Sequence, residues 1–175
     1  MKIAIVTDAW HPQVNGVVRT LTTTGEFLGK LGHDVHFISP AHFRTIPCPT
    51  YPEIRLAVFP AKRVARFLNA LLPDAMHIAT EGPLGHAAHA YCTRRALPFT
   101  TSFHTQFPEY LRLRAPIPVP WTYAYLRRFH ARAVRTLVPT KSQRDLLRVK
   151  GFKNLDLWSR GVDTRSEEHT SELQS

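Results

Sequence analysis

Short apolar runs alternate along this chain with segments in which apolar residues recur every three or four positions. The first run, Lys2–Thr7, is rich in Ile and Val, which is typical of a buried parallel strand. The segment after it has apolar residues at helical spacing, namely Val17, Val18, Leu21, Leu28 and Leu31. Gly32 is a typical helix stop, and Asp34–Ser39 is the next apolar run. The first forty residues therefore predict a strand–helix–strand unit with a right-handed parallel crossover.

The same alternation continues through the rest of the chain. Further strands are predicted at Ile54–Phe59, Met76–Thr80, Phe99–Phe103, Arg135–Val138 and Leu155–Trp158. Helices are predicted at Ala61–Leu72, Leu84–Arg95 and Trp121–Val134, and after a capping box at Thr140–Gln143 up to Gly151. Prolines predict irregular loops at 40–53 and 104–120. About seven strands alternating with helices indicate an α/β fold, doubly wound, with a mainly parallel Rossmann-like sheet and helices on both faces.

Composition limits the class of protein. A hydrophobic content of 43% in 175 residues is enough for one domain with a core. The chain has no run of about eighteen apolar residues, and it turns polar at Thr7 too early for a signal peptide. Cys48 and Cys92 lack metal or redox spacing, which indicates a reducing compartment. The prediction is a cytoplasmic protein, with the inner face of the plasma membrane as an alternative location.

The formal net charge of +10 indicates either a solvated basic surface or an anionic partner. Nucleic acid, an anionic membrane surface and a phosphorylated substrate all fit this charge. The predicted helix Ala61–Leu72 combines Lys62, Arg63 and Arg66 with an apolar stripe. Such a helix can lie in a membrane interface or dock on the sheet through the same stripe.

The last eleven residues, Arg165–Ser175, differ from the rest of the chain. They read RSEEHTSELQS, with three Glu and no aromatic residue. This peptide resembles one translation frame of a common short-read sequencing adapter. We therefore expect 165–175 to be a non-native tail that packs against nothing, and we exclude it from the fold prediction.

Ligands of open parallel sheets bind outside the carboxyl ends of the strands, where three polar clusters are predicted. The first runs from Asp8 to Asn15 and Gly16. Gly16 would let a ligand approach the backbone, and the helix that follows would attract a diphosphate. Gly16 can equally be an ordinary turn glycine. The loop matches neither the dinucleotide-binding glycine motif nor the P-loop, so these sites are not favoured.

The other two clusters follow later strands. Glu81 and Gly82 precede Pro83, and Glu81 can bind a sugar hydroxyl or only interact with the helix dipole. His104 directly follows a predicted buried strand and can donate or accept a proton near neutral pH, so it is the candidate catalytic residue. We expect Asn15, Gly16, Glu81 and His104 to meet at one edge of the sheet, with Asp8 and Gly82 as further substrate contacts and no metal site.

Five segments carry a family resemblance, in the order TDAWHPQVNGVVRTL (7–21), TEGPLG (80–85), SFHTQFPEY (102–110), VPTKS (138–142) and RGVD (160–163). Together they resemble the N-terminal domain of retaining GT-B glycosyltransferases of family 4, and within it the GDP-mannose-dependent α-mannosyltransferases. The resemblance implies two Rossmann-like domains that face each other across a cleft. Residues 1–164 would be the acceptor-side domain, and the donor-binding C-terminal domain would be absent.

By this resemblance, Asn15 and Gly16 bind the donor diphosphate, His104 contacts the donor sugar, and Arg160–Asp163 leads into the hinge. The donor would be GDP-mannose or a UDP-sugar, and the acceptor a lipid or a glycan. Transfer would retain configuration without a metal or other cofactor. The phosphate-binding Arg and Lys of the family and its Glu–seven residues–Glu motif should lie beyond Asp163. We therefore expect this chain to be inactive by itself, with Trp10 and Phe107 unusually exposed.

Two alternatives remain at this stage. A hydrolase needs two suitably spaced carboxylates, for which Asp8, Glu81 and Glu109 are available, but the phosphate-binding loop argues against it. A basic Rossmann-like binding module for a membrane surface or RNA is the chief alternative from another class. For the transferase itself, peripheral membrane contact is expected and a nucleic-acid partner is not.

Overall fold

The computed structural model describes residues 1–13, 15–48, 51–104 and 118–159, with only the backbone at 51–53. The strands are β1 (Lys2–Val6), β2 (Asp34–Ile38), β3 (Thr45–Cys48), β4 (Tyr51–Ala57), β5 (Ala75–Ile78), β6 (Thr100–Ser102), β7 (Arg135–Val138) and β8 (Leu155–Leu157). The helices are α1 (Gly16–Lys30), α2 (Ala61–Leu71), α3 (Pro83–Arg94), α4 (Val119–His130) and α5 (Lys141–Val149), with a 3-10 turn at Pro40–His42. Strands and helices alternate as the sequence predicted, except that β2, β3 and β4 follow one another without an α-helix between them.

Six of these strands form one parallel sheet in the order β2-β1-β5-β6-β7-β8. The chain moves one way from β1 to β2 and the other way from β5 to β8. Right-handed crossovers therefore place α1 on one face and α2 to α5 on the other. Residues of β1 alternate accordingly: Ile5 packs with Leu21 of α1, and Val6 packs with Leu84 of α3. The predicted doubly wound α/β fold with helices on both faces is confirmed.

The predicted irregular loop at 40–53 is wrong. Within it lie the 3-10 turn, all of β3 and the start of β4, and β3 and β4 form a separate antiparallel pair. The strand predicted at Ile54–Phe59 belongs to this pair, so the parallel sheet has six strands rather than seven. Arg55 fastens the pair, because its guanidinium donates to the hydroxyl and the carbonyl of Thr45 at 3.0 Å each. A two-stranded ribbon tolerates Pro47 because edge positions need no ladder hydrogen bond.

Capping residues set the helix ends close to the predicted positions. Asn15 is the N-cap of α1, and its Oδ1 accepts from the backbone N–H groups of Val17 and Val18 at 3.0 Å each. Gly32 ends that helix with φ of 82°. Thr140 is the N-cap of α5 and accepts from the N–H of Gln143 at 3.1 Å, which is one of the two hydrogen bonds of the predicted capping box.

Helix α4 lies earlier in the chain than predicted. It begins at Val119 and ends at His130, whereas the sequence predicted Trp121–Val134. Proline is well suited to the first turn of a helix, where its missing N–H costs nothing, so the helix begins before Trp121. Val134 lies outside the helix because its N–H donates to the carbonyl of Phe99 at 2.9 Å, which directs the chain into β7.

Helix α2 docks on the protein core through the apolar stripe that the sequence showed. Val64 and Leu68 are fully buried, and they belong to the same cluster as Leu84 of α3. This finding favours the docked alternative for these side chains. None of the described helices is long and apolar enough to cross a membrane.

Candidate functional site

The order of the strands reverses between β1 and β5, which makes the carboxyl ends of these two strands the switch point of the sheet. Open α/β sheets bind ligands in the crevice at this point. Asp8 follows β1, and Thr80 and Glu81 follow β5. Two of the candidate site residues thus lie at the position that topology favours.

Asp8 joins β1 to the start of α3. Its Oδ1 accepts from the N–H of Leu84 at 2.8 Å, and its Oδ2 accepts from the N–H of Gly85 at 3.2 Å and the hydroxyl of Thr80 at 2.8 Å. Burial raises the pKa of Asp8, while these three hydrogen bonds oppose that rise. Asp8 is therefore an N-terminal cap for a helix more than seventy residues away in sequence. Its predicted contact with substrate stays a prediction.

Two glycines make this capping arrangement possible. A Cβ on Gly82 would lie 2.4 Å from the carboxyl carbon of Asp8, and one on Gly85 would lie 1.8 Å from the carbonyl oxygen of Thr80. Both contacts are shorter than real Cβ atoms allow, so a side chain at either position would displace the cap. Gly82 is therefore placed by the packing of Asp8, and its predicted contact with substrate stays a prediction.

His104 is the outer member of a polar chain on the α1 face of the sheet. Its Nε2 lies 2.7 Å from the Ser102 hydroxyl, which lies 3.1 Å from Nε2 of His77. Nδ1 of His77 lies 2.8 Å from the Thr100 hydroxyl. Burial lowers the pKa of His77 to about 3, and the charge of His104 adds to this shift. The Trp158 ring lies against both imidazoles, with centroid distances of 5.8 and 5.9 Å.

A shallow, open cleft lies beside His104, with a cavity volume of about 10 Å³. Its lining includes Thr20 of α1, together with Phe103, Leu137, Pro139 and Trp158. Thr20 lies one turn after Gly16 and donates from its hydroxyl to the Gly16 carbonyl at 2.7 Å. Thr20 of α1 and His104 therefore line the same cleft.

Glu81 lies at the same edge of the sheet, but its carboxylate turns to the opposite face. Its Oε1 is 3.1 Å from Nε2 of His130, the last residue of α4. Nδ1 of the fully buried His130 is 2.9 Å from the Thr101 hydroxyl, which is 3.0 Å from that of Thr136. The structure therefore brings His104 and Thr20 of α1 to one cleft and turns Glu81 to the other face of the sheet. That Asn15 and Gly16 meet His104 stays a prediction.

Sequence reasoning missed His77 and His130, the partners of the candidate residues. His77 lies inside a strand and His130 ends a helix. Neither follows a strand, which is the position by which the candidate residues were chosen. The signal that could have found His77 is the alternation of side chains between the two faces of a strand. On the neighbouring strands β5 and β6, the α1 face carries three polar residues, His77, Thr100 and Ser102. Three adjacent polar side chains on one buried face indicate a hydrogen-bonded network.

The predicted exposure of Trp10 is wrong. Its side chain is partly buried and packs on Phe37, with ring centroids 4.4 Å apart. An aromatic side chain in β2 thus covers a residue that we expected the partner domain to cover. Phe107, Glu109 and Arg160–Asp163 lie outside the described residues, as does the tail 165–175.

In the described ranges, no three His, Cys, Asp or Glu side chains are grouped so that they could hold a metal ion. Burial raises the pKa of the Cys92 thiol to about 11, so this thiol stays protonated at neutral pH. The metal-independent reaction stays a prediction.

The low pKa of His77 predicts that acid destabilises the domain. Below pH 6.5 an unfolded His77 binds a proton, whereas the folded residue resists protonation down to about pH 3. The contribution of His77 to the free energy of unfolding is therefore fully present above pH 6.5. Below that pH it falls by at most about 1.4 kcal/mol per pH unit. Urea unfolding at several pH values should show a smaller acid loss for His77→Gln than for the unmodified chain. The exposed His11→Gln is the matched control, and equal acid losses in all three proteins would contradict the prediction.

The chain is similar in sequence to known glycosyltransferases. The chain is 26% identical to a GDP-mannose-dependent alpha-mannosyltransferase of Mycobacterium tuberculosis (strain CDC 1551 / Oshkosh), covering 94% of this chain and 48% of that protein. It is 28% identical to the protein of the same name from Mycolicibacterium smegmatis, covering 93% and 48%. An alpha-monoglucosyldiacylglycerol synthase of Acholeplasma laidlawii is 29% identical over 63% of this chain and 31% of that protein. The chain thus spans about half the length of the two mannosyltransferases, or less.

A solved structure shows the same fold. An alpha-glucosyltransferase in complex with UDP and a 13-mer DNA containing a central A:G mismatch superposes with a TM-score of 0.55 at 14% identity, over 97% of this chain and 43% of that one. The model of Glycosyltransferase Family 4 matches residues 14–166, which is most of the chain. The chain therefore belongs to Glycosyltransferase Family 4.

Proposed function

We propose that this chain is the acceptor-side N-terminal domain of a retaining glycosyltransferase. The complete enzyme would transfer a hexose, namely mannose, from GDP-mannose to a lipid or glycan acceptor. The observation that carries the proposal is the cleft that His104 shares with Thr20 of α1, whose hydroxyl donates to the Gly16 carbonyl. Family membership gives the reaction class, and the two mannosyltransferase relatives support mannose and GDP over the UDP-sugar alternative.

The start of α1 would receive the donor diphosphate. The Asn15 oxygen now accepts from two backbone N–H groups there, at the position where an anion would bind. A phosphate oxygen would take the place of this oxygen, or bind beside it at Gly16. His104, across the cleft, would contact the donor sugar. None of these groups carries the fixed positive charge of an Arg or a Lys, so most of the charge stabilisation of the leaving diphosphate would come from the donor-binding domain.

The reaction would need no metal or other cofactor in this account. Backbone dipoles at the α1 N-terminus and basic side chains of the second domain would stabilise the leaving diphosphate. The acceptor hydroxyl would attack the face that the diphosphate leaves, which retains the configuration of the sugar. Asp8 and Gly82 would then act indirectly, because they fix the start of α3 at the edge of the crevice.

A lipid acceptor would place the enzyme at the cytoplasmic face of a membrane. The name of the Acholeplasma laidlawii relative, a diacylglycerol glycosyltransferase, supports a lipid acceptor. The face of helix α2 that does not pack on the core is exposed to solvent and could contact a membrane. Lys62, Arg63 and Arg66 are exposed, and the flanking Phe59 and Leu72 have 93% and 73% of their side chains exposed. Basic residues beside exposed apolar ones suit an anionic interface.

Vesicle sedimentation tests this surface. We expect the chain to bind anionic vesicles at low salt and to leave neutral vesicles unbound, because each basic residue contributes about 1 kcal/mol at an anionic surface. Replacing Lys62, Arg63 and Arg66 together by Gln should weaken binding by roughly a hundredfold. The control replaces three exposed basic residues of equal charge elsewhere, Lys141, Arg148 and Lys153, and should have little effect. Equal sedimentation with anionic and neutral vesicles would contradict membrane contact.

The transferase proposal is tested by sequencing the gene from genomic DNA past codon 164 and expressing the protein that it encodes. A second Rossmann domain, with transfer from GDP-mannose to a lipid extract, would support the proposal. A native stop codon directly after residue 164 would instead favour the alternative, a basic binding module for RNA or a membrane surface. The charge of +10 is the observation that keeps this alternative open.

A further inference from the structure

A second polar chain lies on the face of the sheet opposite His104, and it ends on Glu81. The side chain of His130 is 2% exposed, and its Nε2 lies 3.1 Å from Oε1 of Glu81. Its Nδ1 lies 2.9 Å from the Thr101 hydroxyl, which lies 3.0 Å from the Thr136 hydroxyl. Both threonines are fully buried, so this chain runs from the core of the domain to the carboxyl edge of the sheet.

The chemistry of a carboxylate determines where the hydrogen between Glu81 and His130 lies. An ionised carboxylate only accepts hydrogen bonds, so Nε2 of His130 must carry the hydrogen that it shares with Oε1. Nδ1 accepts from the Thr101 hydroxyl when the imidazole is neutral and donates to it when the imidazole is charged. The bond to Glu81 has the same direction in both cases, so His130 holds Oε1 from the buried side.

The other carboxylate oxygen of Glu81, Oε2, is open to solvent. Among the residues that the structure describes, it has no hydrogen-bond partner, and it is not one of the buried polar atoms. The Glu81 side chain is 23% exposed, whereas its partner His130 is buried. The carboxylate is therefore fixed through one oxygen and presents the other at the edge of the crevice.

An exposed aromatic surface of α4 lies next to Glu81. The Tyr125 hydroxyl contacts Nε2 of His86 and donates to the carbonyl oxygen of Glu81 at 3.5 Å. Burial raises the pKa of Tyr125, and the negative charge of Glu81 adds to this rise. Trp121 lies one helical turn before Tyr125 on the same face, and the two residues are 73% and 46% exposed. Aromatic rings beside a carboxylate oxygen suit a sugar or polyol, whose hydroxyls donate and whose C–H groups pack on the rings.

The sheet separates this surface from His104. Glu81 and His104 follow the paired strands β5 and β6, so they lie side by side at one edge, but their side chains turn to opposite faces. We propose that Glu81 binds a hydroxyl of the acceptor through Oε2, and that His130 is the positioning residue that holds this carboxylate in place. The acceptor contact rests on the transferase function proposed above, whereas the hydrogen bond from His130 to Glu81 does not.

Nitrogen-15 NMR of the histidine side chains tests the role of His130 on the chain itself. Protonated and unprotonated nitrogens of an imidazole have widely separated shifts, and spectra at about pH 9 are recorded well above the pKa of an ordinary imidazole. We expect a hydrogen on Nε2 of His130, with signals identified by their loss in His130→Gln. Glu81→Gln should move these shifts, whereas Glu26→Gln, at an exposed position of α1, should leave them in place. An unprotonated Nε2, or shifts that do not respond to Glu81→Gln, would overturn the inference.

A difference between the two Michaelis constants tests the acceptor contact in the complete protein that the gene encodes. Glu81→Gln should raise the amount of lipid extract needed for half-maximal rate by about tenfold, because a charge-assisted hydrogen bond becomes a neutral one. The KM for GDP-mannose should stay within about twofold. His130→Leu should have the same effect as Glu81→Gln, and the double variant should add little to either. His130→Gln, which can still donate to Oε1, should restore most of the acceptor affinity, and Glu26→Gln should change neither constant.

The outcomes separate this proposal from the transferase proposal. If a folded and active Glu81→Gln left the acceptor requirement unchanged, or raised both constants equally, the acceptor contact would be wrong although the protein is a transferase. This comparison stands even if His130→Leu fails to fold. If the unmodified complete protein transferred no sugar, the transferase proposal would fail and the acceptor contact with it. The NMR spectra would still decide whether His130 holds Glu81.

Discussion

Replacing Gly85 by Ala is expected to destabilise the domain by about 3 kcal/mol or more, because the new Cβ would lie 1.8 Å from the backbone carbonyl oxygen of Thr80. Neither atom can move alone, since Thr80 also donates to Asp8 and the Gly85 N–H bonds the same carboxylate. A typical domain has about 5–15 kcal/mol of stability in total. The substitution should therefore remove much of it and shift the urea midpoint strongly downward.

Gly29→Ala is the matched control for that experiment. Gly29 also lies in a helix, α1, but nothing lies within 4 Å of the position that its Cβ would occupy. Alanine is about 0.8–1 kcal/mol better than glycine inside a helix, so this variant should be more stable than the unmodified chain. Replacing glycine by alanine should thus lower the free energy of unfolding at Gly85 and raise it at Gly29. A Gly85→Ala variant as stable as Gly29→Ala would contradict the tight contact between α3 and the crevice.

His104→Ala should lower kcat/KM by roughly a hundredfold or more in the complete protein encoded by the locus, because an interaction with the reacting sugar would be lost. The stability of the domain should change little. Ser102, which loses its partner, still has His77 and Ala79 within hydrogen-bonding distance. The measurement pairs a radiolabel transfer assay with urea unfolding of the same preparation.

His36→Ala is the control for this comparison. Its imidazole lies in β2, and its side chain is 43% exposed, far from the cleft in the order of the strands. Activity should stay within about twofold of the unmodified enzyme, since exposed positions away from a site usually have small effects. If His104→Ala lost activity only in proportion to its loss of folded protein, His104 would be a structural residue and the proposed sugar contact would be wrong.

The parts of the fold that sequence predicted well are those with strong local patterns. Ile and Val in β1 and the helical spacing of Val18 and Leu21 in α1 specify their elements without help from distant residues. Strand β3 and the start of β4 were missed because prolines such as Pro47 locally favour a loop. The pair forms through contacts between its own strands, in which Arg55 binds Thr45.

The candidate site residues were predicted from their positions directly after strands. This rule predicts the edge of the sheet at which a residue lies, but not the face to which its side chain turns. A residue that follows a parallel strand must lie at the carboxyl edge, as His104 and Glu81 do. Loop residues have no fixed alternation, so the sequence could not show that these two side chains turn to opposite faces. The capping of α3 by Asp8 was equally hidden, because the contact joins Asp8 and Leu84 across 76 positions of the chain.

Donor binding by the chain itself is the measurement that tests most directly whether this domain is one half of a divided site. Residues 1–164 would be titrated calorimetrically with GDP-mannose and UDP-glucose and assayed for radiolabel transfer to a lipid extract. Gly16 and the start of α1 offer only a few backbone donors to a diphosphate, and charge-assisted contacts are normally the stronger ones. We predict no transfer above background and no binding tighter than about 1 mM. Micromolar binding of either donor, or turnover, would show that the donor site lies in this half and would contradict the account.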